Sequence, residues 1–275
     1  MAILENVGTP GSPRFSEEQC IEQGKRFAAE YQSAQPFPHI AIDDFLSVDM
    51  LREVARNFPP REKAVSFKRD QENLKYQFMP EAVSCDLTRN LFFALNSEPF
   101  LKFLSAMTGI EGLIADPYFT GGGLHETLRG GHLGVHADFN RHKIMNVRRR
   151  LNLLVYLNED WQDEYGGHLE LWSKNMKRME RKVAPVIGRC VVFNTDLDSW
   201  HGHPDPLNTP DGISRRSIAT YYYTSAATLN DQPDRTTNFK ARPGSTDKVD
   251  LKLRVTENLR DWLPPAVVRM VGKLR

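Results

Sequence analysis

Four residues with metal-binding or anion-binding side chains occur at informative spacings in the second half of the sequence. One residue separates His136 from Asp138, His201 follows Asp138 by 63 residues, and Arg215 follows His201 by 14 residues. Two imidazoles and one carboxylate can bind one face of a ferrous ion and leave three coordination positions open. In an extended segment, side chains two residues apart project to the same side, so His136 and Asp138 converge locally. The pattern predicts a catalytic non-haem Fe(II) site with His136, Asp138 and His201 as ligands.

His201 and His203 are alternative third ligands. His201 precedes a glycine at the end of a predicted strand and is the favoured candidate. His203 would face the same side in an extended chain, but Pro204 favours a loop there, so we expect a loop histidine near the substrate. His125 lies in the segment that leads to the site and is a candidate for lining the pocket. The remaining candidates for surface or hydrogen-bonding roles are His132, His142 and His168.

Length and composition limit the class of protein. A chain of 275 residues is long enough for one large domain or for one domain with an appendage. Three widely spaced cysteines argue against a disulfide framework and fit a reducing compartment. The N-terminus lacks a basic region followed by an apolar run, and no stretch approaches the ~20 apolar residues of a membrane helix. We therefore expect a soluble, cytoplasmic protein without a transmembrane segment, of unspecified oligomeric state.

Charge is balanced overall but uneven along the chain. Lys and Arg number 36 against 35 Asp and Glu, which does not suggest a nucleic-acid partner. Residues 240–275 hold nine Lys/Arg and four Asp/Glu, and a second basic stretch contains Arg141, Lys143 and residues 148–150. Such stretches are usually solvated faces with counter-charges. The alternative is an anionic substrate or carrier near the iron.

Residues 1–112 are predicted to form a mainly helical support region. Ser16 can cap a helix that extends to about Gln32, and Ser47 can cap another. Residues 36–45 alternate well enough for a strand, and residues 86–108 are predicted to be helical with an interruption at 97–99.

Residues 113–228 change in character and predict a barrel. Short strands are expected at 113–119, 132–138, 151–158, 167–172, 189–195 and 215–223. Segment 151–157 is nearly continuously apolar, so it should be buried on both faces. Evenly spaced short strands with glycine-bearing turns predict an α+β protein with a double-stranded β-helix, or jelly-roll, core. Residues 229–275 form a predicted extension with a basic tail and an amphipathic helix at Thr256–Trp262, integrated into the same domain.

An ordered set of motifs resembles the prolyl 4-hydroxylase-like branch of the 2-oxoglutarate (2OG)- and Fe(II)-dependent dioxygenases, in its bacterial form. The set covers roughly residues 113–226 and is more specific than any single motif. It comprises GVHAD at 134–138, RLNLLVYLN at 150–158, Trp161, GGHLELW at 166–172, VVF at 191–193, His201-Gly202 and Arg215-x-Ser217. The resemblance implies hydroxylation of a C–H bond coupled to decarboxylation of 2OG to succinate and carbon dioxide. It implies Fe(II), 2OG and dioxygen as requirements, with ascorbate as a candidate reductant. Because Asp138 is retained, hydroxylation, desaturation or ring formation is favoured over halogenation.

Binding of 2OG calls for a cation and hydroxyl groups beside the iron. Arg215 and Ser217 lie on one face of a predicted strand and can supply both to the distal carboxylate of 2OG. Arg216 would face the other way. Tyr156 and Asn152 also share a strand face and are candidates for binding 2OG, although Asn152 could equally be a buried structural amide.

The substrate is not carried over from the resemblance. The leading hypothesis is a small-molecule or carrier-linked substrate, which the basic stretches suggest is anionic. A peptidyl, prolyl-type hydroxylase that acts on a protein side chain is the alternative. A non-catalytic jelly-roll binding module is the third, which the intact His136, Asp138, His201 and Arg215 disfavour.

Overall fold

The computed structural model describes residues 2–226 and 234–248. Four α-helices precede the barrel: α1 (Glu17–Ser33), α2 (Val48–Arg56), α3 (Asp86–Leu95) and α4 (Glu98–Thr108). The first strands are β1 (His39–Ile42), β2 (Val65–Arg69), β3 (Glu72–Phe78) and β4 (Ile114–Ala115). The barrel strands are β5 (Gly123–Ala137), β6 (Arg141–His142), β7 (Val147–Tyr156), β8 (Leu169–Trp172), β9 (Met179–Val183), β10 (Cys190–Asn194), β11 (His201–His203) and β12 (Arg215–Ser225), and β13 (Asn238–Phe239) follows.

The predicted helix starts are confirmed. The hydroxyl of Ser16 accepts a hydrogen bond from the Gln19 amide and the hydroxyl of Ser47 accepts one from the Met50 amide, so both serines cap helices. An interruption was predicted at 97–99; the break between α3 and α4 lies at 96–97, because Pro99 fits into the first turn of α4. Gly109 ends α4 in the left-handed region at φ 73°, a conformation that glycine adopts without strain.

The barrel is an antiparallel double-stranded β-helix. Its strands follow the order β1-β10-β7-β12-β5-β11-β8-β9. Strand β5 runs through both halves of the barrel. Its residues 123–127 pair with β12, whereas Leu133 and His136 pair with β11. Between these two parts lie Gly130, at φ 75°, and Gly131, where a Cβ would come within 2.8 Å of the Leu128 carbonyl oxygen. The predicted α+β jelly-roll class is therefore confirmed.

The helices pack on the outer face of one sheet. The largest apolar cluster joins residues of the helices to outward-facing residues of β7 and β12, including Leu153, Val155 and Tyr222. The rings of Phe100 on α4 and Tyr222 on β12 lie 6.2 Å apart. As expected, β7 is buried on both faces, and Tyr156 lies in a second apolar cluster inside the barrel. This double burial supports the strands that carry the site.

The first 112 residues contain more strand than expected. The β2–β3 hairpin was not predicted, and its strand β3 extends the sheet by pairing with β5. Its sequence lacks an apolar alternation because its inward side chains, Glu72, Lys75 and Gln77, line a polar cavity. Strand β9 was also missed, since four of its five residues are exposed.

Other boundaries differ from the predicted ones. The strand predicted at 113–119 reduces to β4, whereas the one predicted at 132–138 is the second part of the longer β5. The boundaries at 112/113 and 228/229 between the support region, the barrel and the C-terminal extension stay a prediction. The helix predicted at Thr256–Trp262 lies outside the described residues.

The contact between α1 and α4 can be tested at Gly24. A Cβ on this residue would lie 2.5 Å from the Phe103 carbonyl oxygen and 2.8 Å from the Ala106 Cβ. We expect Gly24→Ala to lower the free energy of unfolding by about 2 kcal/mol, because the helices must separate. Urea denaturation followed by circular dichroism measures it. In the control Gly11→Ala, where a Cβ meets no atom within 4 Å, the change should stay within about 0.5 kcal/mol. Equal stability of G24A and the parent protein would contradict this packing.

Candidate active site

His136, Asp138 and His201 meet at one end of the barrel. One potential ligand atom from each residue lies within 4.8 Å of the others. Strand pairing explains how a distant residue joins the local pair, because His201 on β11 is the direct cross-strand partner of His136 on β5. Asp138 follows immediately after β5. The structure therefore brings together the three residues that the sequence analysis selected.

Backbone hydrogen bonds orient both imidazoles. Nδ1 of His136 lies 2.9 Å from the Gly134 carbonyl oxygen, and Nδ1 of His201 lies 2.9 Å from that of Ser199. With Nδ1–H donating to these oxygens, the lone pair of each Nε2 faces Asp138, at 3.6 Å for His136 and 3.3 Å for His201. Burial and the neighbouring His136 lower the pKa of His201, which favours the neutral, ligating form. Two neutral imidazoles and a carboxylate suit a ferrous ion.

Arg149 supports the carboxylate of Asp138. Burial by itself raises the pKa of Asp138, but the charge of Arg149 and the two histidines outweigh it and place the pKa well below its usual range. Nη2 of Arg149 lies 3.3 Å from Oδ2 of Asp138, and its guanidinium carbon lies 3.4 Å from the centre of the Tyr221 ring. In the sequence, Arg149 is only part of a basic stretch. Residues three apart in a regular strand face opposite sides, and a register shift between Leu151 and Arg149 in β7 breaks this alternation, so the sequence contained no local signal for the role of Arg149.

Asn152 connects Arg149 to Asp138. Its Oδ1 accepts a 2.9 Å hydrogen bond from Nε of Arg149, and its Nδ2 donates a 2.7 Å bond to Oδ2 of Asp138. These bonds match the structural alternative for a buried amide. A contact of Asn152 with 2OG stays a prediction.

Arg215 brings a buried cation into the same cavity. Its side chain donates to the Gly167 carbonyl oxygen at 2.6 Å and to the Tyr156 hydroxyl at 3.2 Å. In the described ranges, 2–226 and 234–248, no carboxylate lies within ion-pair distance of this guanidinium. Burial lowers its pKa. A buried cation without an acidic partner is costly, so the site is suited to an anionic ligand.

Ser217 and Arg216 lie where the strand alternation predicts. Ser217 pairs with Tyr156 across β12 and β7 and lines the cavity with Arg215. Arg216 points the other way, and its Nη2 lies 3.0 Å from Oε1 of the buried Glu126. Arg216 is therefore committed to a structural ion pair.

The cavity has a volume of about 240 Å³ and contains histidines beyond the proposed ligands. His125 lines it, as suggested from the sequence. His203 was expected in a loop, and this prediction is wrong. The residue lies in β11 and is 3% exposed, because it pairs with Leu133 of β5 and the strand ends only before Pro204. His142 and His168 form the expected hydrogen bonds with Thr120 and Asp163, but both are buried rather than at the surface.

Buried arginines of the basic stretch at 141–150 pair with carboxylates. Arg148 pairs with Asp234 at 2.7 Å, and Arg149 is committed to Asp138. The stretch is therefore not a simple solvated face, and these two arginines do not form an anion-binding surface.

Residues 234–248 cover one side of the three-residue cluster, a position that the sequence did not predict. Strand β13 pairs with β5, with Phe239 opposite His136, and their rings lie 5.2 Å apart. Nε of Arg235 donates to the Asp138 carbonyl oxygen at 3.2 Å. This part of the extension is therefore integrated with the barrel.

Comparisons with known proteins agree with this arrangement. Residues 122–223, which include all seven predicted site residues, match the model of the 2OG-Fe(II) oxygenase superfamily. The matched segment is a 2OG-Fe(II) oxygenase domain, which uses a ferrous ion and 2OG.

The oxygenase shares its fold with several solved structures. A prolyl-4-hydroxylase from Pseudomonas putida is 17% identical, with a TM-score of 0.52 over 73% of this chain and 98% of that chain. A prolyl hydroxylase from Trichoplax adhaerens, solved with a hypoxia inducible factor peptide fragment, is 13% identical, with a TM-score of 0.52 over 82% and 100%. The non-haem α-ketoglutarate-dependent epimerase SnoN from nogalamycin biosynthesis is 15% identical, with a TM-score of 0.51 over 82% and 92%.

The described part of the oxygenase contains no helix whose length and apolar character would let it cross a membrane.

The ion pair between Arg149 and Asp138 can be tested in the metal-free oxygenase. We expect Arg149→Met to lower the free energy of unfolding by about 3 kcal/mol, because a buried carboxylate loses its cation. The double variant R149M/D138N should lose less, since it leaves no buried charge. Urea denaturation measures both. Lys143→Met, at an exposed position, is the control. A double variant that is no more stable than R149M would contradict the coupling.

Proposed function

We propose that the oxygenase hydroxylates an unactivated C–H bond of a small-molecule or carrier-linked substrate, with release of succinate and carbon dioxide. His136, Asp138 and His201 would hold the ferrous ion. Arg215, Tyr156 and Ser217 would bind the distal carboxylate of 2OG. The observation that carries the proposal is the buried Arg215 guanidinium, which has no acidic partner in the described residues and lines the same cavity as the three-donor cluster.

The ligand residues are held in place before any metal binds. The carbonyl oxygens of Gly134 and Ser199 determine which nitrogen of each imidazole faces the cluster. Asn152 and Arg149 hold Asp138 from behind. When bound, Fe(II) and 2OG would together activate dioxygen, of which one oxygen atom ends in succinate and the other in the hydroxyl group of the substrate. The chain contributes the orientation of the ligands and a mainly polar cavity, whose wall also includes apolar and aromatic side chains such as Leu154 and Phe193.

The cation in the pocket is also preorganised. Because Nε of Arg215 is bonded to Gly167 and Nη2 to Tyr156, the guanidinium plane has one orientation. The Tyr156 hydroxyl keeps its own proton to donate, since burial raises the pKa of Tyr156. A carboxylate can therefore accept from both the guanidinium and the phenol.

Enclosure of the site supports a small-molecule substrate. The β2–β3 hairpin contributes Glu72 and Lys75 to the cavity wall, and the segment 234–248 contributes Thr237 and Phe239. These two segments meet, because Nε2 of Gln71 donates to the Lys248 carbonyl oxygen at 3.2 Å. The peptidyl alternative is suggested by solved structures that share only the fold with this chain. The small-molecule substrate is favoured by segments of this chain itself, which enclose the cavity.

Replacement of ligand and cosubstrate residues tests the proposal. His136→Ala or Asp138→Ala should abolish release of succinate from 2OG in the presence of Fe(II) and oxygen, because the metal site loses a donor. Arg215→Ala should chiefly weaken binding of the cosubstrate, raising its KM about tenfold or more through loss of charge-assisted hydrogen bonds. Succinate release and anaerobic calorimetric titration of the Fe(II)-loaded protein with 2OG measure these effects.

The exposed Arg129, whose guanidinium pairs with Asp211 outside the site, provides the matched control Arg129→Ala. This variant should keep the cosubstrate KM of the parent protein. An unchanged 2OG affinity in R215A would remove Arg215 from the proposed site. Incubation with metabolite extracts, followed by a mass search for gain of one oxygen, then separates hydroxylation from desaturation.

A further inference from the structure

The cavity contains a group of polar side chains that the proposed binding of Fe(II) and 2OG does not use. Three strands form its wall in register: Lys75 on β3 pairs with Thr127 on β5, which pairs with Arg215 on β12. Lys75 therefore lies in the same cross-strand row as Arg215, two strands away. Adjacent strands are about 4.8 Å apart, so the backbones at Lys75 and Arg215 are about 10 Å apart. A ligand bound at Lys75 would therefore lie beside a 2OG molecule bound at Arg215.

An irregularity in β3 brings Glu72 and Lys75 to the same side. Residues three apart in a regular strand face opposite sides of the sheet. Here Leu74 lies in the left-handed region at φ 48°, and the register with β5 shifts between Asn73 and Lys75. Both charged side chains consequently line the cavity, where Nζ of Lys75 lies 3.0 Å from Oε1 of Glu72. Bulges of this kind commonly redirect side chains beside active sites.

Glu72 and Lys75 form a nearly buried ion pair at the cavity surface. Their side chains are 10% and 13% exposed. The pair as a whole is close to neutral. A ligand with only a negative charge would be repelled by Glu72, and a ligand with only a positive charge would be repelled by Lys75. A ligand that carries both charges can match each partner.

His203 adds an unsatisfied hydrogen-bonding group. It is 3% exposed and lines the cavity, and neither ring nitrogen has a hydrogen-bond partner among residues 2–226 and 234–248. A neutral imidazole offers one donor and one acceptor. Buried polar groups without partners are costly, which indicates that a ligand completes them.

Building on the proposed function, we propose that Glu72, Lys75 and His203 form a substrate subsite for the zwitterionic head group of a free α-amino acid. The substrate carboxylate accepts hydrogen bonds from the Lys75 ammonium, and the substrate ammonium donates to the Glu72 carboxylate. His203 completes the head group with a further hydrogen bond. The side chain of the amino acid then extends toward the cluster of His136, Asp138 and His201, where a C–H bond is hydroxylated.

Binding of the head group is tested first. The full-length protein, loaded with Fe(II) and 2OG without oxygen, is titrated with each of the twenty standard L-amino acids, and the melting temperature is measured. At least one should raise the melting temperature and, in air, increase succinate release. Its decarboxylated amine and its deaminated acid should each bind about tenfold or more weakly, because each leaves one charge of the ion pair unmatched. If no amino acid does so, or if the amine or the acid binds as well, the inference is wrong.

Variants distinguish this subsite from the 2OG site. Lys75→Met should raise the KM for the stimulating amino acid about tenfold more than the KM for the cosubstrate. The double variant E72Q/K75M leaves no buried lone charge and should fold, and it should show the same split. Lys63→Met, at an exposed position before the hairpin, should change neither KM. A larger rise in the KM for the cosubstrate would place Lys75 in the 2OG site and overturn the inference.

The two proposals fail differently. A protein that converts 2OG to succinate without amino acid, but responds to none, retains the proposed function and loses the subsite. A protein that neither binds 2OG in the presence of Fe(II) nor releases succinate loses the proposed function itself.

Discussion

The active site depends on the backbone pairing of β5 with β11. This pairing places His201 directly opposite His136 and determines where Asp138 leaves the strand. Since a slip of one residue would turn the side chains of β11 to the other face of the sheet, the register is a condition for any metal site here. The short β11 is secured on its other edge by β8, through His201 opposite Leu171. Val135 and Ala137 of β5 form an apolar cluster with Trp172 and Trp200, which supports the strands that carry these residues.

Charge compensation differs between the two ends of the cavity. Asp138 has its cation, Arg149, and the pair is completed by Asn152. Arg215 is buried like Arg149, but it has only neutral partners among the described residues. The first arrangement keeps the carboxylate of Asp138 ionised, and the second leaves a positive charge that suits an anionic ligand. The electrostatics thus assign different chemistry to two arginines that composition alone treats alike.

Segments outside the jelly roll determine what else can enter. The β2–β3 hairpin and residues 234–248 border the cavity and are joined through Gln71 and Lys248. The strained Leu74 redirects Lys75 into the cavity. Because the barrel fold is common to enzymes with very different substrates, specificity is expected in such added segments rather than in the barrel.

From the amino-acid sequence alone, the jelly-roll class, the helix starts at Ser16 and Ser47, and the grouping of His136 and Asp138 could be predicted, because each follows from local spacing, capping or periodicity. The choice of His201 rested on its place at a strand end, and the opposite directions of Arg215 and Arg216 rested on strand alternation. The β2–β3 hairpin, the role of Arg149 and the burial of His203 were decided only by the folded chain. Each depends on pairing or charge contacts between residues far apart in sequence, and a polar strand that lines a cavity has no apolar period to reveal it.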